Sequence, residues 1–236
     1  MLTFRNYLTG SISRACTSGL PAINQTEKDI ELFLPRNHTF GDVASSVALR
    51  ISAVTGTSPG AVAQTILNNF EWNQDFVETP FELRMAVDSG FLNFRFSDRY
   101  LTDTLGNTDS TGSYDSAEGT DHAGLTAGSY DFSSVMERML PILRHARRSG
   151  FSSIPNRPDI IQNMRHSSER RLLRELSKSR ALERNMAMRI ADAYLVFYLE
   201  CPVFTMEQET TAARILLTLA TYRALGKSGM IGPEKM

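Results

Sequence analysis

Residues 102–134, TDTLGNTDSTGSYDSAEGTDHAGLTAGSYDFSS, constrain this chain more than any other stretch. They hold six acidic residues, no lysine or arginine, and almost no apolar periodicity. Such a segment cannot bury enough surface to offset the entropy of ordering it, so it reads as an acidic flexible linker. The chain is therefore expected to form two domains, 1–101 and 135–236, joined by that strap. At 236 residues in total, it is long enough for each half to hold a core.

The first domain reads as mixed helix and strand. Residues 1–26 carry Arg5 and Arg14 with no acid before Glu27, a faint transit-peptide composition. Leu2, Tyr7, Leu8, Ile12 and Ala15 fit an ordinary amphipathic helix better. DIELFLP (29–35) is a short extended run ended by Pro35. In FGDVASSVALRISAVTG (40–56), Gly41-Asp42 reads as a turn and helix cap. Val43, Val47, Ile51 and Val54 follow at helical spacing, and Gly56 stops them. Ser58 and Pro59 announce another helix, as cap and first helical residue. SGFLNFRFSDRYL (89–101) alternates: Leu92, Phe94 and Phe96 share a core face, while Phe91, Asn93 and Arg95 share a face mixing ring, amide and guanidinium.

The second domain reads as helical throughout. Met136, Met139, Leu140 and Leu143 open an apolar stripe that Pro141 is expected to kink or restart. Met188, Ala191, Tyr194, Leu195 and Tyr198 continue it, and TAARILLTLATYRAL (211–225) supplies a last helix with Gly226 as its stop. The methionines at 136, 139, 164, 186, 188 and 206 read as core filler rather than a partner groove.

Charge divides the chain. Residues 1–134 hold eight Lys/Arg against sixteen Asp/Glu, and 135–236 hold seventeen against ten. Within 138–189 thirteen basic residues face Asp159, Glu169, Glu175 and Glu183, and Lys178 alone among the thirteen is not arginine. Arginine offers a planar fork for phosphate and a face for stacking, so Arg138, Arg144, Arg147, Arg148, Arg170, Arg171 and Arg174 are candidate RNA contacts. The same charges also suit a solvated helical face.

Other chemistries find little support. Cys16 and Cys201 make neither a disulfide framework nor a metal cluster, which points to a reducing, cytoplasmic setting. His38, His122, His145 and His166 are scattered without ligand partners, so no metal or other cofactor is expected. No apolar run approaches the roughly 18 residues a membrane span needs. GKSG (226–229) lacks the earlier glycine of a phosphate loop, since 221 is Thr, and it follows a helix rather than a strand. No catalytic constellation is evident.

The first half resembles the additional N-terminal domain of arginyl-tRNA synthetases, through HTFGDVASSVALRIS (38–52), SPGAVAQTI (58–66) and SGFLNFRFSDRYL. The second half is similar to the same enzymes' DALR anticodon-binding domain. ILRHARRSG (142–150), FYLECPVF (197–204), ARILLTLATYRAL (213–225) and GPEKM (232–236) echo its entry helix, final helices and tail. The resemblance implies an α+β N-terminal domain, with helices on a small antiparallel sheet, followed by an all-α DALR-like helical bundle. Its departures matter as much. About thirty linker residues stand where the family has its Rossmann-type catalytic domain. HAGL (122–125) lacks the second histidine of the ATP signature, and no Lys-Met-Ser-Lys-Ser-like loop occurs. The DALR half is shortened, and DFSSVMER (131–138) replaces a Tyr-rich entry, keeping only Arg138.

Carried over residue by residue, the resemblance gives Asn93 and Phe96 to a tRNA-elbow contact, with Arg95 between them, and puts Asp98 where the family has Gln. In the DALR half it points to Tyr198, Arg214 and Met236, Arg214 serving equally as a brace for the last helices. Two readings follow. One is a non-catalytic tRNA-binding protein, with arginine tRNA a candidate, acting as adaptor for a tRNA-modifying enzyme or as regulator. The other is a protein-interaction module on a repurposed synthetase scaffold.

Overall fold

The computed structural model describes residues 2–79, 87–88, 90–106, 132–149, 160–184 and 186–227. It divides into two compact units, Met1–Leu101 with Ser177–Arg184, and Thr102–Leu176 with Asn185–Met236. Residues 107–131 of the acidic stretch lie outside the described residues, but its ends are not linker: 102–106 complete a helix begun at Asp98, with Thr102 and Leu105 buried, and Phe132 opens the next helix.

The first unit opens with α1 (Phe4–Gly19). Thr3 caps it, its hydroxyl accepting the Asn6 N–H at 3.2 Å. Phe4, Tyr7, Leu8, Ile12, Ala15 and Cys16 recur at helical spacing and are buried, so α1 is an integral core helix. Leu2, expected on that stripe, lies ahead of the helix and is exposed. Three short strands follow with two helices between the first and second: β1 (Val43–Ser45), α2 (Val47–Thr55), α3 (Pro59–Asn68), β2 (Val87–Asp88) and β3 (Phe91–Phe94). The sheet order is β1-β3-β2, antiparallel, with Val43 opposite Phe94 and Val87 opposite Leu92. This unit therefore combines helices with a small antiparallel sheet. Phe33 extends the pairing through a bridge to Ala44, and Val77 bridges to Phe96.

The helix-cap reading of Gly41-Asp42 is overturned. Gly41-Asp42 does not cap a helix, because Val43–Ser45 pairs with β3 and α2 begins only at Val47. Gly41 sits at φ +130°, where an added Cβ would lie 2.8 Å from the Phe94 carbonyl oxygen, so the turn demands glycine. Asp42 closes the strand instead. Its N–H donates to the Phe94 carbonyl at 2.8 Å and its carboxylate accepts the Phe96 N–H at 3.1 Å. Val54, expected on the buried stripe, is 81% exposed. The Ser58–Pro59 start of α3 stands as read, with the Ser58 hydroxyl accepting from Ala61 N–H.

An aromatic cluster fills the space between α1 and the start of α4 (Asp98–Gly106). Phe96 lies 5.1 Å from Phe4 and 5.0 Å from Tyr100, ring centre to ring centre, and Tyr7 stacks on Phe76 at 4.7 Å. The Tyr7 hydroxyl donates to the Glu71 carbonyl and accepts the Asn73 N–H, both at 2.9 Å, which satisfies its polar end inside the core.

The described residues of the second unit are helical. They comprise α5 (Phe132–Arg148), a 3₁₀ turn (Ile160–Asn163), the first part of α6 (Ser167–Leu182), α7 (Ala187–Glu200) and α8 (Gln208–Lys227). α5 runs through Pro141 as one element, and α8 continues past Gly226. Met139, Leu172, Ala191, Tyr194, Phe197 and Leu217 are among its buried residues. The methionines split: Met139, Met164 and Met186 are core, whereas Met188 is 48% exposed and Met206 wholly exposed. The Met136 side chain lies outside the described ones.

Phe96→Ala is expected to lower unfolding free energy by about 3–5 kcal/mol, the cost of emptying a buried aromatic site. Urea denaturation checks it, and a midpoint unmoved from wild type would show that the cluster does not hold the strand.

Candidate nucleic-acid interface

In the first unit, the mixed face of β3 resolves into three different environments. Phe91 is half-buried, its ring 5.8 Å from that of Phe33. Arg95 is exposed and donates to the Thr39 carbonyl at 2.9 Å. Asn93 is 7% exposed, and its amide nitrogen has no hydrogen-bond partner among the described residues. Phe96, completely buried, belongs to the aromatic core, and any part it has in a surface contact passes through the strand it anchors. Asp98 is exposed at the first position of α4, where Ser97 accepts the Tyr100 N–H. A carboxylate in a first helical turn is favoured by the helix dipole, which gives Asp98 a structural role there.

In the second unit, cations divide into committed and available ones. Glu169 is completely buried, and its carboxylate accepts the His166 N–H at 2.7 Å and the Arg214 Nε–H at 2.5 Å. Arg214 also donates to the Pro202 carbonyl at 2.6 Å, so it braces the start of α6, the α7–α8 turn and α8 together. Arg189 pairs with Glu175 through both carboxylate oxygens. Arg170 is exposed but donates to the Met164 carbonyl at 3.0 Å. Arg138 lies over the half-buried Tyr198 ring at 5.2 Å, bringing together two residues expected at the interface.

Arg144 and Arg148 are different. They stand one turn apart on α5, exposed, with no hydrogen-bond or ion-pair partner among the described residues. Arg171 on α6 is also exposed and unpartnered there. Arg174, on the same helix, is half-buried. The Arg147 side chain and Met236 lie outside the described residues. A cleft of about 340 Å³ opens between the 3₁₀ turn and the start of α8, lined by Asn163, Arg165, Met206, Glu207 and Arg214 among others. Arg165 and Asn163 were not singled out from sequence. Arg165 stood in the basic run, but only the fold brings it opposite residues forty positions away.

One cluster imitates catalytic machinery. The His166 Nδ1 lies 2.8 Å from the Ser168 hydroxyl and 3.6 Å from a Glu200 carboxylate oxygen, and Ser168 in turn lies 3.3 Å from the Cys201 sulfur. Both polar contacts use the same ring nitrogen, whereas a proton relay needs opposite ones. Ser168 and Cys201 are also buried, and burial pushes the Cys201 thiol upward. The arrangement caps a helix instead: His166 Nδ1 accepts the Ser168 N–H and Glu169 accepts the His166 N–H. Among the described residues no three His, Cys, Asp or Glu side chains gather as metal ligands. None of the described helices is long and apolar enough to cross a membrane.

Residues 3–96 match the family described as the arginyl tRNA synthetase N terminal domain. The N-terminal region is therefore arginyl-tRNA synthetase-like. Over 105 residues the chain is 32% identical to an arginine–tRNA ligase of Salinibacter ruber, and over 102 residues 28% identical to one of Ruminiclostridium cellulolyticum. Each alignment takes in 43% of this chain and only 17% of the relative's length. No solved structure matches the chain.

Arg214→Ala is expected to destabilise the protein by about 3–5 kcal/mol, because Glu169 is left as a buried, unpaired charge. Arg214→Lys recovers little, since an ammonium cannot reproduce the fork that serves carboxylate and carbonyl together. Thermal melting of both variants reads this out. Burial also pushes the Cys16 thiol up to about 11, so at pH 8 neither cysteine offers much thiolate in the native state. An aromatic disulfide reagent should label both only after denaturant is added, and rapid native labelling would show an open thiol.

Proposed function

We propose that this chain is a non-catalytic arginyl-tRNA synthetase paralogue that binds tRNA, arginine tRNA first among the candidates, as an adaptor or regulator. The observation that carries the reading is the juxtaposition in one chain of a synthetase-like N-terminal region and a helical unit with unpartnered, exposed arginines. Arg144, Arg148 and Arg171 are cations the fold does not use, which is what a phosphate backbone requires. Tyr198 under Arg138 offers a ring edge for an unstacked base, and the buried amide of Asn93 is a donor in want of an acceptor. The proposed organisation is a synthetase N-terminal-like domain over 1–101, an acidic linker over 102–134 whose two ends are taken up by α4 and α5, and a DALR-like anticodon-binding bundle over 135–236, in the cytoplasm. No nucleotide pocket or catalytic domain stands between the halves in this reading, so aminoacylation is not part of it. A protein partner such as a tRNA-modifying enzyme fits the adaptor role.

A protein-interaction module without RNA is the second reading. It is favoured by Phe96 lying in the core and by Asp98 standing in a helical first turn where the family has an amide.

Gel shift with arginine tRNA, a second tRNA and a DNA duplex separates the two. The tRNAs are expected to bind, with affinity falling steeply as salt rises. Arg144→Ala with Arg148→Ala should weaken binding and flatten the log–log salt slope by about two. Equal binding of all three nucleic acids reduces the claim to generic polyanion affinity, and no binding transfers it to the second reading. Arginine-dependent exchange between ATP and pyrophosphate should stay at background.

A further inference from the structure

The cleft between the 3₁₀ turn and the start of α8 carries an unusual combination of unspent groups. Arg165 is exposed, with no hydrogen-bond or ion-pair partner among the described residues. Glu207 is likewise exposed; one carboxylate oxygen accepts the Thr210 hydroxyl at 2.8 Å and the other has no partner there. A cation and an anion thus line one cleft without pairing, although mutual pairing is the ordinary fate of such neighbours. The Asn163 side-chain amide, half-buried, is also unengaged among the described residues. Beside them Met206 is wholly exposed, and Phe204 is 42% exposed with its ring against His145 at 4.7 Å.

The walls are fixed. Arg214 is held by Glu169 and the Pro202 carbonyl. The Thr205 N–H donates to the Thr211 hydroxyl at 2.9 Å, and the Thr205 hydroxyl donates to the Glu207 carbonyl at 3.0 Å, which ties the turn carrying Met206 and Glu207 to α8. The volume, about 340 Å³, falls at the lower end of small-molecule sites.

From these groups we infer that the cleft takes one unstacked nucleotide of single-stranded RNA, and that Glu207 selects bases with an exocyclic amino group over uracil. This rests on the reading of the helical unit as an RNA binder. A nucleotide is anionic at its phosphate and carries hydrogen-bond donors at its base edge, so Arg165 and Glu207 face opposite ends of it. Arg165 takes the phosphate, and the base lies on the Met206 thioether. A carboxylate only accepts, so it pairs with the amino groups of cytosine, adenine or guanine. The uracil edge sets a carbonyl oxygen on each side of its single N–H, and both repel Glu207. Asn163 donates or accepts as the base requires.

Fluorescence anisotropy of the full chain with labelled eight-nucleotide oligo(C), oligo(A) and oligo(U) tests this. Wild type should bind oligo(C) and oligo(A) roughly fivefold to tenfold tighter than oligo(U), the scale of a single good edge contact. Glu207→Gln should bring the three within about twofold, because an amide also donates. Arg165→Ala should weaken all three alike and lower the salt slope by about one. Both side chains are exposed, so circular dichroism should be unchanged. If wild type binds RNA but neither substitution alters affinity or preference, the cleft assignment falls and the wider RNA reading stands. If wild type binds none of the oligomers or tRNAs, both fall together.

Discussion

The helical unit depends on one buried carboxylate. Glu169 has no exposure to solvent, and an isolated charge there would cost several kcal/mol, so its partners are obligatory. The His166 N–H and the Arg214 guanidinium supply them, and Arg214 reaches the Pro202 carbonyl in the same gesture. Three places distant in sequence are thereby pinned to one atom group: the start of α6, the α7–α8 turn and the first turns of α8. The cost of desolvating the pair means it adds less to stability than its short distance suggests. What it does enforce is geometry, because losing either partner leaves the buried carboxylate short of a donor.

Asp42 has the corresponding place in the first unit. It is 3% exposed, holds the Phe96 N–H, and has Lys178, also buried, at 4.0 Å. By fixing the end of β3 it sets where the strand stops and where Ser97 starts α4. That in turn seats Phe96 among Phe4 and Tyr100 and leaves Arg95 outside. The buried amide of Asn93, by contrast, has been given no partner among the described residues.

Much of the local structure was legible in the sequence because local chemistry decides it. Ser58 and Pro59 start α3 by capping and by a preset φ, and the apolar spacing from Tyr7 to Ala15 needs nothing beyond α1 itself. Val43 was misread for a definite reason. Val43, Val47, Ile51 and Val54 fit helical spacing, but Val43 answers to Phe94, some fifty residues on, through a ladder that no local window contains. Met139, Met164 and Met186 are core as read, but side-chain type gives no clue that Met188 and Met206 face solvent. For the candidate site, charge pattern found the arginines of 138–189 and could not sort them. Arg214 came instead from the resemblance, with contact and brace both open, and the placement of Glu169, forty-five residues away, makes it a brace.

That sorting changes what the basic character of the second half means. A net positive segment draws polyanions whatever its internal pairing, but affinity comes from cations that can exchange a counterion for a phosphate. Arg189, bidentate to Glu175, has already made that exchange within the fold, and Arg214 has done so with the fully buried Glu169. The count that governs salt dependence is therefore smaller than the count of arginines, and it rests on Arg144, Arg148, Arg165 and Arg171. These four sit on three elements: Arg144 and Arg148 on α5, Arg165 in the turn before α6, and Arg171 on α6.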